Sequence, residues 1–244
     1  MLSGRHMKPG PVLPQLLVFS ILSMLALVGC SGPSPSPTQP SGLGMAVDAV
    51  VQSSMQQSGV PGITIAVAKN NTMLYVQGYG VTDVTTHQAM QPRVIFEIGS
   101  ITKQFTAALI MKLQEQGKLH LADSMASYLP EYGFPAPITI RMLLTHTSGL
   151  ADFTDFPQLG AWIQNGVAEA TVLIAVSQAP LQFQPGTKYS YSNSNFFALG
   201  TIIERITGQS YAANLDQQIL QPLALQSTYL CASTHEFVRH GLHR

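Results

Sequence analysis

Two segments of this chain read as β-strands, and almost everything after them is helical. Gly62 to Lys69 (GITIAVAK) and Thr72 to Gly78 (TMLYVQG) are rich in β-branched and aromatic residues and flank Asn70-Asn71, a pair suited to a tight hairpin turn. Beyond them apolar residues recur at helical spacing near 101–116, 139–146, 169–178, 194–207 and 210–220, and Gly117, Gly149 and Gly208 stand as stops after three of these runs. Ahead of the hairpin, Val47, Val50, Val51 and Met55 predict one amphipathic helix over 45–55, closed by Gly59 and Pro61. A lone hairpin is marginal in water, and the helices of an α/β domain normally pack on a sheet of three or more strands. Two alternatives follow. Either the domain is mostly helical, or the strands that complete its sheet lie beyond Arg244.

Charge narrows the functional classes. Twelve Lys and Arg balance twelve Asp and Glu in 244 residues, and only 10% of the chain is charged, against about 25% in ordinary soluble domains. A nucleic-acid binder, a polyelectrolyte tail and a charge-rich coiled coil all fit this poorly. The 20 Gly and 16 Pro show no period, which excludes collagen-like and low-complexity classes. The length fits one domain, at most two.

The N-terminus reads as an address followed by an anchor. Arg5 and Lys8 precede an apolar run from Leu16 to Val28, too short to span a bilayer comfortably, so residues 1–29 are expected to be an export signal. Met7 is a second candidate start. Leu27-Val28-Gly29-Cys30 resembles a bacterial lipobox, whose Cys is lipidated and becomes the first mature residue; the competing reading is an ordinary signal peptide with an incidental Cys. Acyl chains contribute about 0.8 kcal/mol per buried CH₂, so a multiply acylated Cys30 would hold the protein at a membrane. Residues 30–43, containing SGPSPSPTQPSG, then form an extended Pro/Ser tether. An exported, membrane-anchored bacterial lipoprotein, in the periplasm or at the cell surface, is the expected location. Cys231 is then the one remaining thiol, which argues against an internal disulfide or a Cys-based zinc site.

Two short motifs carry the chemistry. Ser100 and Lys103 sit where the loop FEIGS meets a periodic helix; residues three apart share a helix face, so hydroxyl and ammonium can come within hydrogen-bond reach. A serine hydroxyl needs a base beside it to act as a nucleophile, and a partly desolvated lysine is one such base. The helix N-terminus also offers free backbone N–H groups to a developing oxyanion. Tyr191-Ser192-Asn193 lies just before the helix FFALGTIIERITG, where a phenol can shuttle a proton and a carboxamide can bind a peptide-like carbonyl. His146, in an HTSG turn, suggests a triad but reads better as a turn residue, because Lys103 and Tyr191 already fill the base role. The seven His show no H-E-x-x-H spacing, and no Gly-rich phosphate loop follows the strands. Neither a metal nor a cofactor is expected.

In this order and context the motifs resemble the serine β-lactamase and penicillin-binding-protein family, nearest its class C β-lactamase-related branch of esterases and D-peptidases. FEIGSITKQFTA around Ser100, ITIRMLLTHTSGL from 138 to 150 and QPGTKYSYSNSNFFALG from 184 to 200 carry the resemblance, which covers about 44–230. It implies an α/β (α+β) β-lactamase/DD-peptidase-like fold, a helical region plus an antiparallel sheet. It also implies that Ser100 forms an acyl-enzyme with Lys103 as its activating partner, that Tyr191 relays the proton and that Asn193 orients the substrate amide. Which of Lys103 and Tyr191 is the formal base stays open. The implied partner is a small-molecule or peptidoglycan-type substrate: a β-lactam, a D-amino-acid peptide or an ester. The family also uses a K-T-G or H-x-G triad on a strand, and none follows Tyr191; residues 231–244 (CASTHEFVRHGLHR) look unlike the domain before them. The expectation is therefore a partial domain over 44–230 with its C-terminal sheet strands missing. A truncated, non-catalytic pseudoenzyme or a cell-wall-binding lipoprotein is the alternative.

Overall fold

The computed structural model describes residues 42–134 and 137–230. The export signal, Cys30 with its tether up to position 41, and the 231–244 tail with Cys231 all lie outside the described residues. The chain divides into two compact units, up to Val94 and from Ile95 onward.

The first unit is a helix and a small sheet. Helix α1 spans Gly42–Ser58, and Gly59, at φ +69°, closes it by donating its N–H to the Met55 carbonyl at 2.9 Å. Strands β1 (Gly62–Lys69) and β2 (Thr72–Asp83) form the expected hairpin. Asn70 and Asn71 have φ of +51° and +59°, the two left-handed residues that a type I′ turn requires and that asparagine tolerates. Strand β2 runs five residues past Gly78, where the sequence suggested a stop. Glycine is needed along this stretch by the closeness of its neighbours: a Cβ on Gly62 would lie 2.1 Å from the Val81 carbonyl oxygen, and one on Gly80 would lie 2.1 Å from that of Pro61. A third strand, β3 (Gln88–Ala89), completes an antiparallel sheet of order β1-β2-β3. On α1, one carboxylate oxygen of Asp48 accepts hydrogen bonds from Tyr75 at 2.8 Å and Tyr79 at 2.6 Å. The two tyrosines stand four apart on one face of β2, as strand alternation dictates.

The second unit is helical: α2 (Thr102–Glu115), α3 (Ile140–Leu144), α4 (Leu159–Asn165), α5 (Glu169–Gln178), α6 (Asn193–Thr207) and α7 (Tyr211–Leu215). Helix α6 is its axis. Every residue from Ser194 to Ile203 is buried, as expected for a helix apolar around its circumference. Leu109, Ile110 and Leu113 of α2, Ile140 and Leu143 of α3, and Val172, Leu173 and Val176 of α5 share its core. Gly208, at φ +67°, ends α6 and donates its N–H to Glu204. The run read as one helix over 210–220 divides into α7 and a π-helical turn, Asp216–Leu220, whose wider spacing shows in the Gln221 N–H bond to the Asp216 carbonyl. Helix α3 is shorter than the expected 139–146. His146 takes φ +55° and turns the chain away, while Thr147 donates back to the Met142 carbonyl at 2.9 Å. Helices and an antiparallel sheet together give the mixed α/β class expected from the motifs.

Candidate active site

Ser100 lies in a 3-10 turn, Gly99–Ile101, that feeds directly into α2. Gly99 has φ +49°, a conformation that glycine adopts without strain. One turn on, the Lys103 ammonium reaches back and donates to Ser100 Oγ at 3.1 Å. The three-residue spacing does what helix geometry predicts.

The opposing wall comes from far along the chain. The turn after α3 and the segment leading to α6 are zipped together by backbone hydrogen bonds: Gln182 N–H to the Gly149 carbonyl at 2.8 Å, Gly186 N–H to Thr147 at 2.8 Å and Ser190 N–H to His146 at 2.9 Å. The approach is so close that a Cβ on Gly149 would lie 2.2 Å from the Phe183 carbonyl oxygen. This zip delivers Tyr191 to Ser100, their hydroxyls 2.7 Å apart, although 91 residues separate them in sequence. Asn193 is the first residue of α6, and its Oδ1 accepts from Lys103 Nζ at 2.8 Å and from the Tyr191 hydroxyl at 3.3 Å. Lys103 Nζ also lies over the Tyr191 ring, 4.9 Å from its centroid. All four residues named from the sequence thus meet in one hydrogen-bonded cluster. Ser100 and Tyr191 are exposed, whereas Lys103 and Asn193 are half-buried.

His146 supports this wall. Its Nδ1 accepts the Ser192 backbone N–H at 3.2 Å and faces the Asn195 Nδ2 at the same distance. An accepting nitrogen carries no proton, so the ring proton is on Nε2. Burial, reinforced by the nearby Lys103 cation, holds the imidazole below the ordinary histidine range and so uncharged at neutral pH. The ring stacks on Tyr191 with centroids 4.6 Å apart and planes 28° from parallel. Beneath it, fully buried Asn195 accepts from Ser148 Oγ at 2.5 Å, and Ser148 Oγ in turn accepts the Leu150 N–H.

Sequence reasoning missed Asp152. It is buried at 8% exposure and begins the 3-10 turn Phe153–Asp155, its Oδ1 accepting the Thr154 N–H at 3.0 Å. Its other oxygen accepts from Asn193 Nδ2 at 3.0 Å. Locally Asp152 is an ordinary cap, and its second partner lies 41 residues away, so only the fold exposes the connection. Among the described residues no group of three or more His, Cys, Asp and Glu is placed to hold a metal ion, and no helix is long and apolar enough to cross a membrane.

Comparison with known proteins shows the family. The family model described as Beta-lactamase matches residues 47–240. Protein flp of Staphylococcus aureus (strain MW2) is 32% identical over 187 residues, which are 75% of this chain and 37% of that protein. Esterase EstB of Burkholderia gladioli is 29% identical over 204 residues, 74% of this chain and 50% of the esterase. A solved class C β-lactamase superposes with a TM-score of 0.68 at 29% identity, covering 80% of this chain and 52% of the enzyme. The chain therefore spans between about a third and a half of the length of these relatives. The match over most of its length places the chain in the Beta-lactamase family.

Proposed function

We propose that the protein attacks carbonyl substrates through Ser100, passing through an acyl-enzyme on a β-lactam, a D-amino-acid peptide or an ester. The observation that carries this reading is the bracketing of Ser100 Oγ by Lys103 Nζ at 3.1 Å and the Tyr191 hydroxyl at 2.7 Å. An ammonium only donates. With Lys103 as an ammonium, the Ser100 proton therefore points at the Tyr191 oxygen. In the reactive form Tyr191 is a phenolate held beside the Lys103 ammonium; as Oγ bonds to the substrate carbonyl carbon, the Ser100 proton passes to that phenolate, and the Lys103 charge stabilises the developing negative oxygens. The Ser100 backbone N–H serves as one donor to the oxyanion. Collapse of the tetrahedral species breaks the C–N or C–O bond, the leaving group takes the proton from Tyr191, and water later releases the acid from Ser100. Asn193 keeps Lys103 in place and orients the substrate amide. The names of the relatives, an esterase and a class C β-lactamase, support the substrate classes.

The test treats the full chain with a fluorophosphonate and a fluorescent penicillin and maps the adduct by peptide mass spectrometry. Labelling at Ser100 that Ser100→Ala abolishes is the expected result, and preference between the probes assigns the substrate class. A folded protein that neither probe labels would be a binding protein instead. The export signal, the Cys30 anchor and the tether are proposed on the sequence pattern alone. Incorporation of labelled palmitate that Cys30→Ser abolishes is the expected outcome, and unlabelled wild-type protein would sink that assignment.

A further inference from the structure

We propose that Asp152 is a positioning residue of the acylation site, whose carboxylate decides which atom of the Asn193 carboxamide faces Lys103. The argument is one of hydrogen-bond polarity. A carboxylate accepts only, an ammonium donates only, and a carboxamide has one end of each kind. Asn193 lies between the two, with Nδ2 on Asp152 Oδ2 at 3.0 Å and Oδ1 on Lys103 Nζ at 2.8 Å. Only one orientation satisfies both neighbours. Rotated by 180°, the amide would set NH₂ against ammonium and C=O against carboxylate, two repulsive contacts where burial magnifies both. Thr154 Oγ1, 3.4 Å from Asn193 Nδ2, can donate or accept and so does not discriminate. With its other oxygen fixed on the Thr154 N–H, Asp152 has no freedom to turn. The order Asp152, Asn193, Lys103, Ser100 thus runs as one chain of donors meeting acceptors, and its far end fixes the ammonium beside the nucleophile. The kinetic consequence rests on the hydrolase reading above; the geometric one does not.

The test separates positioning from capping. Asp152→Ser keeps a hydroxyl able to cap Thr154 but is too short to reach Asn193, so the turn should survive while the bridge is lost. Asp152→Ala removes both. Two readouts are taken on the full chain: hydrogen exchange of the Asn193 side-chain NH₂ by NMR, which needs no catalysis, and the labelling of Ser100 by the two probes, resolved into probe affinity and acylation step. In Asp152→Ser the Asn193 NH₂ should exchange at least about tenfold faster, as expected for a lost charge-assisted hydrogen bond. The acylation step should slow by about 10²-fold, the scale of a small misplacement, with affinity little changed. In an Asn193→Ala background, adding Asp152→Ser should have no further effect on acylation. Unchanged Asn193 exchange in Asp152→Ser, or effects of Asp152 and Asn193 that multiply independently, would overturn the proposal and leave Asp152 a cap. Faster exchange in a protein whose wild type is unlabelled at Ser100 would instead uphold the positioning role and defeat the hydrolase reading.

Discussion

From Leu109 to Leu220 the second unit buries a continuous set of Leu, Ile, Val and Phe side chains, whereas between residues 42 and 94 the buried hydrophobic side chains among those described are Val51 and Met90. In the first unit Met73, Leu74 and Val76 of β2 remain exposed. Its order comes from the hairpin ladder, from glycines that admit close backbone approach and from the Asp48 carboxylate gripping two tyrosines. The contrast teaches where precision is available. The four residues of the candidate site stand on or beside α2 and α6 of the packed unit, where side-chain volume fixes position to a fraction of an ångström.

If that contrast is right, substitutions should separate the units by size of effect. The largest should be Ile202→Ala, in the fully buried middle of α6, with a loss of about 2–5 kcal/mol by denaturant unfolding; a loss under 1 kcal/mol would mean that the core is loosely packed. Gly149→Ala comes next. It combines φ +78° with a Cβ that would lie only 2.2 Å from the Phe183 carbonyl oxygen, and should destabilise by more than about 1 kcal/mol and displace Tyr191, read as slower Ser100 labelling.

The third test sharpens the comparison by pH. Hydrogen bonds from Tyr79 and Tyr75 hold Asp48 below the ordinary carboxylate value of 3.8. A carboxyl depressed in the folded state contributes stability that is present above 3.8 and is lost as pH falls toward its folded value. Local opening of β2, followed by hydrogen exchange of its amides, should therefore rise below pH 3.8, and Asp48→Asn should remove that dependence. The smallest effect should be Val76→Ala on the exposed strand face, within about 0.5 kcal/mol. A larger loss would show that this face is packed against something in solution.

Much of this was legible in the chain itself, and the failures share a cause. Asn70-Asn71 announces its turn because both residues tolerate positive φ, and α6 announces itself because its apolar residues surround the axis. Ser100 and Lys103 were readable because helix geometry makes them neighbours. By contrast, Gly78 read as the end of its strand but lies inside β2, where the Met90 backbone excludes a Cβ. The seven residues of α4 and the two of β3 are too short for periodicity to detect. Asp152 caps a local turn and so drew no notice in the sequence. Its link to Asn193 depends on how the turn after α3 lies against the approach to α6, which no local pattern encodes.

The backbone zip between 146–149 and 182–190 has a consequence for how this protein can vary. It pins both ends of the intervening chain, so the length of that chain is decoupled from the placement of Tyr191. No residue of α4 is fully buried, although Leu159 and Trp162 pack against the core, and doubling a loop that is already closed costs only about 0.6 kcal/mol. The turn at Gly166, just past α4, is therefore a natural insertion point, where new segments could be grafted while the nucleophile, its lysine and its tyrosine stay in register.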